Sequence, residues 1–139
     1  MLLRGWQIVK IDFQPAALAA LDSEPVPTTG VLHMTVTIRR LGSTDRTGWE
    51  PLFQGYLTFY ESSLTSDVID ETWRRLLSGD PQYHLGLCAV DADGRLIGIA
   101  HILFHRSTWS KTHYCYLEDL FVMPQIRAKG VGRQLIEAV

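Results

Sequence analysis

The sequence predicts an α/β domain in which short strands are interleaved with helices, and three observations predict it. Apolar residues recur at helical spacing in two windows: Trp49, Leu52, Phe53, Tyr56, Phe59 and Tyr60, then Val68, Ile69, Trp73, Leu76 and Leu77. Two apolar runs, 85–90 and 96–104, are joined by Asp91-Ala92-Asp93-Gly94, and Asp-Gly between such runs is a hairpin signal. The final stretch, from Tyr116 onward, reads as strand, turn, glycine loop and helix.

Residues 35–40, Thr-Val-Thr-Ile-Arg-Arg, are expected to form the first strand. Gly42-Ser43-Thr44-Asp45 is a turn with helix-start chemistry. The helix after it buries the face from Trp49 to Tyr60. Pro51 fits there only in the first turn, or where an earlier helical turn kinks, because it has no N–H to donate. Ser66-Asp67 opens a second helix, which Gly79-Asp80-Pro81 stops. The hairpin strands follow, then a polar loop over 105–113 and a fourth strand from Tyr114 to Val122. Met123-Pro124 ends that strand, since proline cannot give a ladder hydrogen bond. Residues 1–33 differ in character: a possible strand at 7–13, an alanine-rich helix at 15–21 and a linker with Pro25, Pro27 and Gly30. The expected organisation is therefore an extension over 1–33 and a folded domain over 34–139. There are no internal repeats.

At 139 residues the chain is one domain or part of one. Its content of 46% hydrophobic and 20% charged residues suits a globular protein. A net charge of −2 argues against general nucleic-acid binding, and no apolar run has the length of a membrane span. The start, Met1-Leu2-Leu3-Arg4-Gly5-Trp6-Gln7, is too short and polar for a signal peptide, so a cytoplasmic location is expected. Cys88 and Cys115 sit in strand-like stretches and are expected to be reduced core thiols. His101 and His105 are four apart in a strand rather than on a helix, and no other residues have ligand spacing, so no metal site is expected.

The chemistry concentrates in Arg127-Ala128-Lys129-Gly130-Val131-Gly132-Arg133, which opens the last helix. Glycines at a helix start allow close approach to a ligand, and the unpaired N–H groups of the first turn with the helix dipole suit an anion such as a phosphate. Arg127, Lys129 and Arg133 add positive charge at the same place. The dinucleotide fingerprint GxGxxG lacks its third glycine here, and the Walker loop GxxxxGK is absent. What remains is Arg-x-x-Gly-x-Gly after a strand bearing Glu118-Asp119. With its extension, Leu-Glu-Asp-Leu-Phe-Val-x-Pro-x-x-Arg-x-Lys-Gly-Val-Gly-x-x-Leu-Ile, this resembles the pyrophosphate loop and preceding strand of the GNAT superfamily of N-acetyltransferases. The Leu-Glu-Asp-Leu-Phe-Val run is most similar to the diamine and spermidine acetyltransferases and the yeast histone- and polyamine-acetylating branch. The resemblance covers the chain from Met34 and leaves residues 1–33 unmatched.

The resemblance implies a three-layer fold, with a mixed, mostly antiparallel sheet and helices on both faces, of which this chain carries the front half. It implies acetyl-CoA as cofactor. Its pantetheine arm would lie along Leu120, Phe121 and Val122, and its pyrophosphate on Arg127, Ala128, Lys129, Gly130, Val131, Gly132 and Arg133. The reaction would be direct transfer to an amine. An alkylammonium has a pKa of about 10.4, so it must first lose a proton to a base. Glu118 is the candidate base, matching a glutamate thought to do this work in the polyamine branch. Two residues before Leu120, it faces the same side of the strand. Asp119 lies on the other face unless a bulge intervenes, and orients substrate or holds structure. Glu50, Tyr60, Glu61 and the aromatic face of the first helix lie where the family places its acceptor wall, and carboxylates and aromatic faces both suit a cationic amine, although most of those aromatics are more simply core.

Against the family pattern the last helix stops after about two turns of 3.6 residues, so the chain is expected to be incomplete at its C-terminus, without the tyrosine that usually serves as general acid. The fourth strand is then expected to present an open edge, covered by residues 7–13 or paired in a homodimer. The expected function is acetylation of a polyamine, diamine or amino acid. The alternatives are a protein or histone lysine acetyltransferase, and a non-catalytic acetyl-CoA-binding or oligomerisation module.

Overall fold

Asp45 ties the first strand to the first helix, and the described chain is built outward from that knot. In the computed structural model, which describes residues 34–80, 82–109 and 111–139, strand β1 is Thr37–Arg40 and a short 3₁₀ turn, Ser43–Asp45, leads into helix α1, Arg46–Phe59. The Asp45 carboxylate accepts from both Arg39 Nη groups (2.6 and 3.0 Å) and from the Gly42 N–H (2.7 Å). Helix α2 is Ser66–Leu77, strands β2, β3 and β4 are Leu85–Val90, Leu96–Arg106 and His113–Val122, and after a 3₁₀ turn at Pro124–Ile126 comes helix α3, Val131–Ala138. The strand and helix expected within residues 1–33 lie outside the described residues.

The described strands form one sheet in the order β1-β2-β3-β4, and every neighbouring pair is antiparallel. The β2–β3 hairpin closes as the Asp-Gly signal requires. Asp91 Oδ1 accepts from the N–H groups of Asp93 and Arg95, and Gly94 takes φ +80°, which glycine adopts without a steric penalty.

Because side chains alternate across a strand, the sheet has two apolar faces, each covered by helix. On one face Cys88, Val90, Ile99 and Phe121 meet Trp49, Leu52, Phe53 and Leu57 of α1 and Ile69 and Leu76 of α2. On the other, Leu87, Ala89, Ile97 and Ala100 meet Val131 and Leu135 of α3. This is the three-layer α/β arrangement, with helices on both faces. Cys88 and Cys115 are both buried free thiols, and burial pushes each thiol up, to about 12 and about 11 respectively. No helix among the described residues is long and apolar enough to cross a membrane.

Two details set up the site. Helix α1 lies so close on β4 that a Cβ at Gly55 would sit 2.7 Å from Phe121 Cζ. The apolar face of α1 is also shorter than its spacing implies: Trp49, Leu52, Phe53 and Leu57 are buried, whereas Phe59 and Tyr60 are each 62% exposed. The last turn of α1 runs past the core, so these two rings project from it. Pro51 lies beyond the first turn, because α1 already begins at Arg46.

Candidate active site

Strand β4 carries one residue too many for its partner, and the site forms where the excess falls. Leu120 faces Ala100 and Asp119 faces His101, but Ile102 faces Leu117, so Glu118 is the extra residue of a β-bulge. The bulge corrects the alternation assumed for the sequence. Leu117 and Leu120 both pack on the α3 side, and Glu118 does not share the face of Leu120. Glu118 instead reaches His84, Asp119 reaches His101, and both carboxylates lie near Tyr56 of α1.

Asp119 is anchored in the core. His101 Nδ1 lies 2.8 Å from Asp119 Oδ2, and Trp49 Nε1 donates to His101 Nε2 at 2.9 Å. An indole N–H only donates, so Nε2 accepts and the imidazole proton sits on Nδ1, directed at the carboxylate. Burial pushes the Asp119 carboxyl up, but the His101 hydrogen bond, the Tyr56 hydroxyl and nearby His84 outweigh it, so the group is held below the usual carboxylate range. The Tyr56 hydroxyl is pushed up from its ordinary value, by burial first and then by its hydrogen bond to Asp119. His84 Nε2 meets Glu118 Oε2, and that contact raises the His84 value.

An aromatic ladder runs from this network to the surface along α1. Trp49 stacks on Phe53 (5.1 Å between centroids), Phe53 on Tyr56 (6.2 Å), and Tyr56 meets Tyr60 (4.9 Å). Tyr60 thus reaches the bulge through Tyr56. Glu61, exposed at a left-handed turn (φ +53°), makes no described contact with it. Glu50 is away from the bulge: it accepts from Arg46 at 2.8 Å, and Arg46 also binds Asp70 of α2.

At the other end of β4 the chain turns through Pro124–Ile126 and enters α3 from Gly130, whose φ of +82° is left-handed, as is that of Ala128 (+65°). Val122, Ile126 and residues 127, 128 and 130–133 line a concavity of about 280 Å³. Gly132 is the informative residue. A Cβ there would meet only Val122 Cγ2, at an ordinary 3.7 Å, so the fold does not require glycine at this position. The missing side chain leaves room beside the first-turn N–H groups of α3, which suits an anionic group lying against the backbone. The charges are less mobile than the sequence implied. Arg127 donates to the Val122 carbonyl (3.1 Å) and lies 5.4 Å from the rings of both Phe59 and Phe121, which fixes it as a clamp between α1 and the loop. Arg133 pairs with Glu137 on the surface, a weak, solvent-screened pair that an anion can displace.

This bulged strand, with paired carboxylates in its middle and an anion cradle at its end, matches a known family: the acetyltransferase (GNAT) family model covers residues 49–139. The chain belongs to the GNAT acetyltransferase family. Acetyl-CoA is the acyl donor of that family. D-amino-acid N-acetyltransferase HPA3 of Saccharomyces cerevisiae is 34% identical over 106 residues, which are 75% of this chain and 65% of the yeast protein. Uncharacterized N-acetyltransferase YhfO of Bacillus subtilis is 29% identical over 104 residues, 74% of this chain and 67% of that protein. The chain therefore spans about two thirds of the length of these relatives. Among solved structures, aminoglycoside N-acetyltransferase AAC(6')-Iy in complex with CoA superposes with a TM-score of 0.63 at 23% identity, over 79% of this chain and 70% of its own. The 6'-N-acetyltransferase AAC(6')-Ih of Acinetobacter baumannii gives 0.60 at 19% identity, over 74% and 67%. These two share the GNAT fold with this chain.

His84 and His101 were not read from the sequence as parts of this GNAT site, and Trp49 and Tyr56 were read only within the aromatic face of the first helix, without these partners. Their partners are far along the chain, 52 residues for Trp49 and His101 and 18 for His101 and Asp119, so no local pattern links them.

Proposed function

We propose that this chain binds acetyl-CoA and serves an N-acetyltransferase reaction whose acceptor is the primary amine of a small cationic molecule (a polyamine, diamine or amino acid), with Glu118 as the base. One observation carries the reading. A single strand, β4, displays adjacent carboxylates at its bulge and leads directly into the anion cradle of α3. Among the acceptor classes, the yeast relative's name, a D-amino-acid N-acetyltransferase, favours an amino acid.

Bound acetyl-CoA supplies the thioester acyl group. The loop from Arg127 to Arg133 would hold its pyrophosphate, with Gly130, Val131, Gly132 and Arg133 offering backbone N–H groups, Lys129 charge, and Arg127 and Ala128 the loop's shape. Backbone groups of Leu120, Phe121 and Val122 would bind the pantetheine arm, and an N–H near Leu120 or Val122 would face the developing oxyanion. The acceptor arrives as an ammonium with a pKa of about 10.4 and must lose a proton before it attacks. Glu118 takes that proton. Asp119, kept ionised by His101 and Tyr56, attracts the cation, and the Tyr56 and Tyr60 rings give it an aromatic wall. Among the described residues β4 has a strand neighbour on one side only, which supports the homodimer expected from an open edge. The free thiols suit a reducing compartment such as the cytoplasm.

Calorimetric titration with acetyl-CoA tests the cofactor site. Saturable binding is expected, and Gly132→Val is expected to abolish it without unfolding the chain, since the Cβ meets no clash. A panel of D-amino acids, spermidine and a lysine peptide, read by thiol release, then tests the acceptor. Glu118→Gln is expected to lower turnover roughly a hundredfold or more. A folded chain that does not bind acetyl-CoA overturns the reading.

A further inference from the structure

The bulge of β4 presents two carboxylates, and the fold supplies each with a histidine. Asp119 has His101, a ring only 1% exposed, with both nitrogens engaged. Glu118 has His84, from the segment leading into β2, and this pair is placed differently. Its Nε2 is shut off from solvent and lies against Glu118 Oε2 without an aligned hydrogen bond, so it is a buried polar atom still to be satisfied, while the side chain as a whole is 30% exposed and lines a cavity of about 740 Å³. The ring therefore faces the carboxylate with one nitrogen while staying within reach of water.

We propose that His84 is a positioning residue for Glu118: its Nε2–H holds Oε2, so that Oε1 is left to take the proton of the acceptor ammonium, and protonation of His84 switches that uptake off. The proposal rests on the reading of Glu118 as the base. A neutral imidazole has one N–H, and a carboxylate at Nε2 places it there. That bond fixes a carboxylate which is otherwise 40% exposed and free to rotate. When the ring takes a second proton it becomes a cation, and a carboxylate beside a cation is a poorer proton acceptor. The charged groups facing the ring are Glu118 and Asp119 of β4 and Arg75 of α2, and Asp80, Arg106, Lys111 and His113 line the same cavity. The Glu118 hydrogen bond is the strongest of these influences. Burial and Arg75 oppose it, and the balance lies above the ordinary imidazole value of about 6.5.

The test is the pH dependence of kcat/KM for acetyl transfer by the full chain, measured for the native protein, His84→Gln and His84→Asn. Glutamine carries an N–H at the reach of imidazole Nε2 and does not titrate, whereas asparagine is too short. The native rate is expected to fall on the acid side through the His84 titration. H84N is expected to lose roughly tenfold or more at all pH values, from misplacement of the base. H84Q is expected to recover most of that loss and to lack the acid limb, with KM for acetyl-CoA unmoved. An acid limb retained in H84Q, or H84N as active as H84Q, overturns the proposal. NMR titration of the His84 ring gives a readout independent of turnover. Glu118→Gln is expected to return it towards the ordinary imidazole value, and an unmoved titration overturns the pairing. A native chain that acetylates no amine overturns the function proposed above, and the NMR result then decides the pairing by itself.

Discussion

Trp49 Nε1 donates to His101 Nε2 at 2.9 Å, a hydrogen bond that joins α1 to β3 inside the core. It fixes the imidazole tautomer and so aims the other ring proton at Asp119. Trp49→Phe removes the donor, leaves a buried acceptor unpaired and opens space beside Phe53 and Trp73. The expected loss of stability is about 3 kcal/mol, from the orphaned group together with the cavity. It would be read as a lower denaturant midpoint at unchanged slope. A loss well under 1 kcal/mol would show that water or repacking replaces the indole.

Ala128 holds φ +65° in the loop before α3, a conformation that strains any residue with a Cβ. Ala128→Gly removes the strain and is expected to stabilise the chain by about 0.5–1 kcal/mol, less than the full steric term because glycine also gains freedom when unfolded. Thermal unfolding without ligand measures it. A lower melting temperature would mean that the loop is not left-handed in solution.

Asp45 contributes to stability on the acid side. Its hydrogen bond with Arg39, the largest influence, and the Gly42 N–H hold its carboxyl below the ordinary range, against the opposing effect of burial. A carboxyl depressed on folding stabilises the fold above its unfolded value of about 3.9, and that stability is lost as pH falls through the folded value. Asp45→Asn is therefore expected to cost about 2 kcal/mol at neutral pH and progressively less below about pH 4, because protonation disables native Asp45 as well. Denaturant unfolding at several pH values checks it. A cost independent of pH would show that the Arg39–Asp45 pair contributes through packing instead.

Much of the fold was legible because its signals are local. Ser66 at a helix start, Asp91 and Gly94 at a hairpin, and the glycines before α3 each act within a few residues, and each element appears where its signal stands. The bulge was not legible. Glu118 is the extra residue only because Leu117 and Leu120 both find apolar partners on the α3 side, a condition set by β3 and α3 rather than by β4. The exposure of Phe59 and Tyr60 escaped for a similar reason: spacing defines a helix face, but the extent of the sheet beneath decides how much of it is covered.

By itself the sequence determined the order of elements, the strand–loop–helix that accommodates an anion, and the GNAT resemblance with the three-layer fold it implies, because the elements and the motif depend on periodicity or on residues adjacent in the chain. Only the tertiary structure decided which way the two carboxylates face, that each has its own histidine, and that Arg127 is a clamp between α1 and the loop. Those relationships join residues from different elements across the sheet and the helix seam. Their geometry follows from register, burial and the Gly55–Phe121 approach, which come into being only when the elements pack.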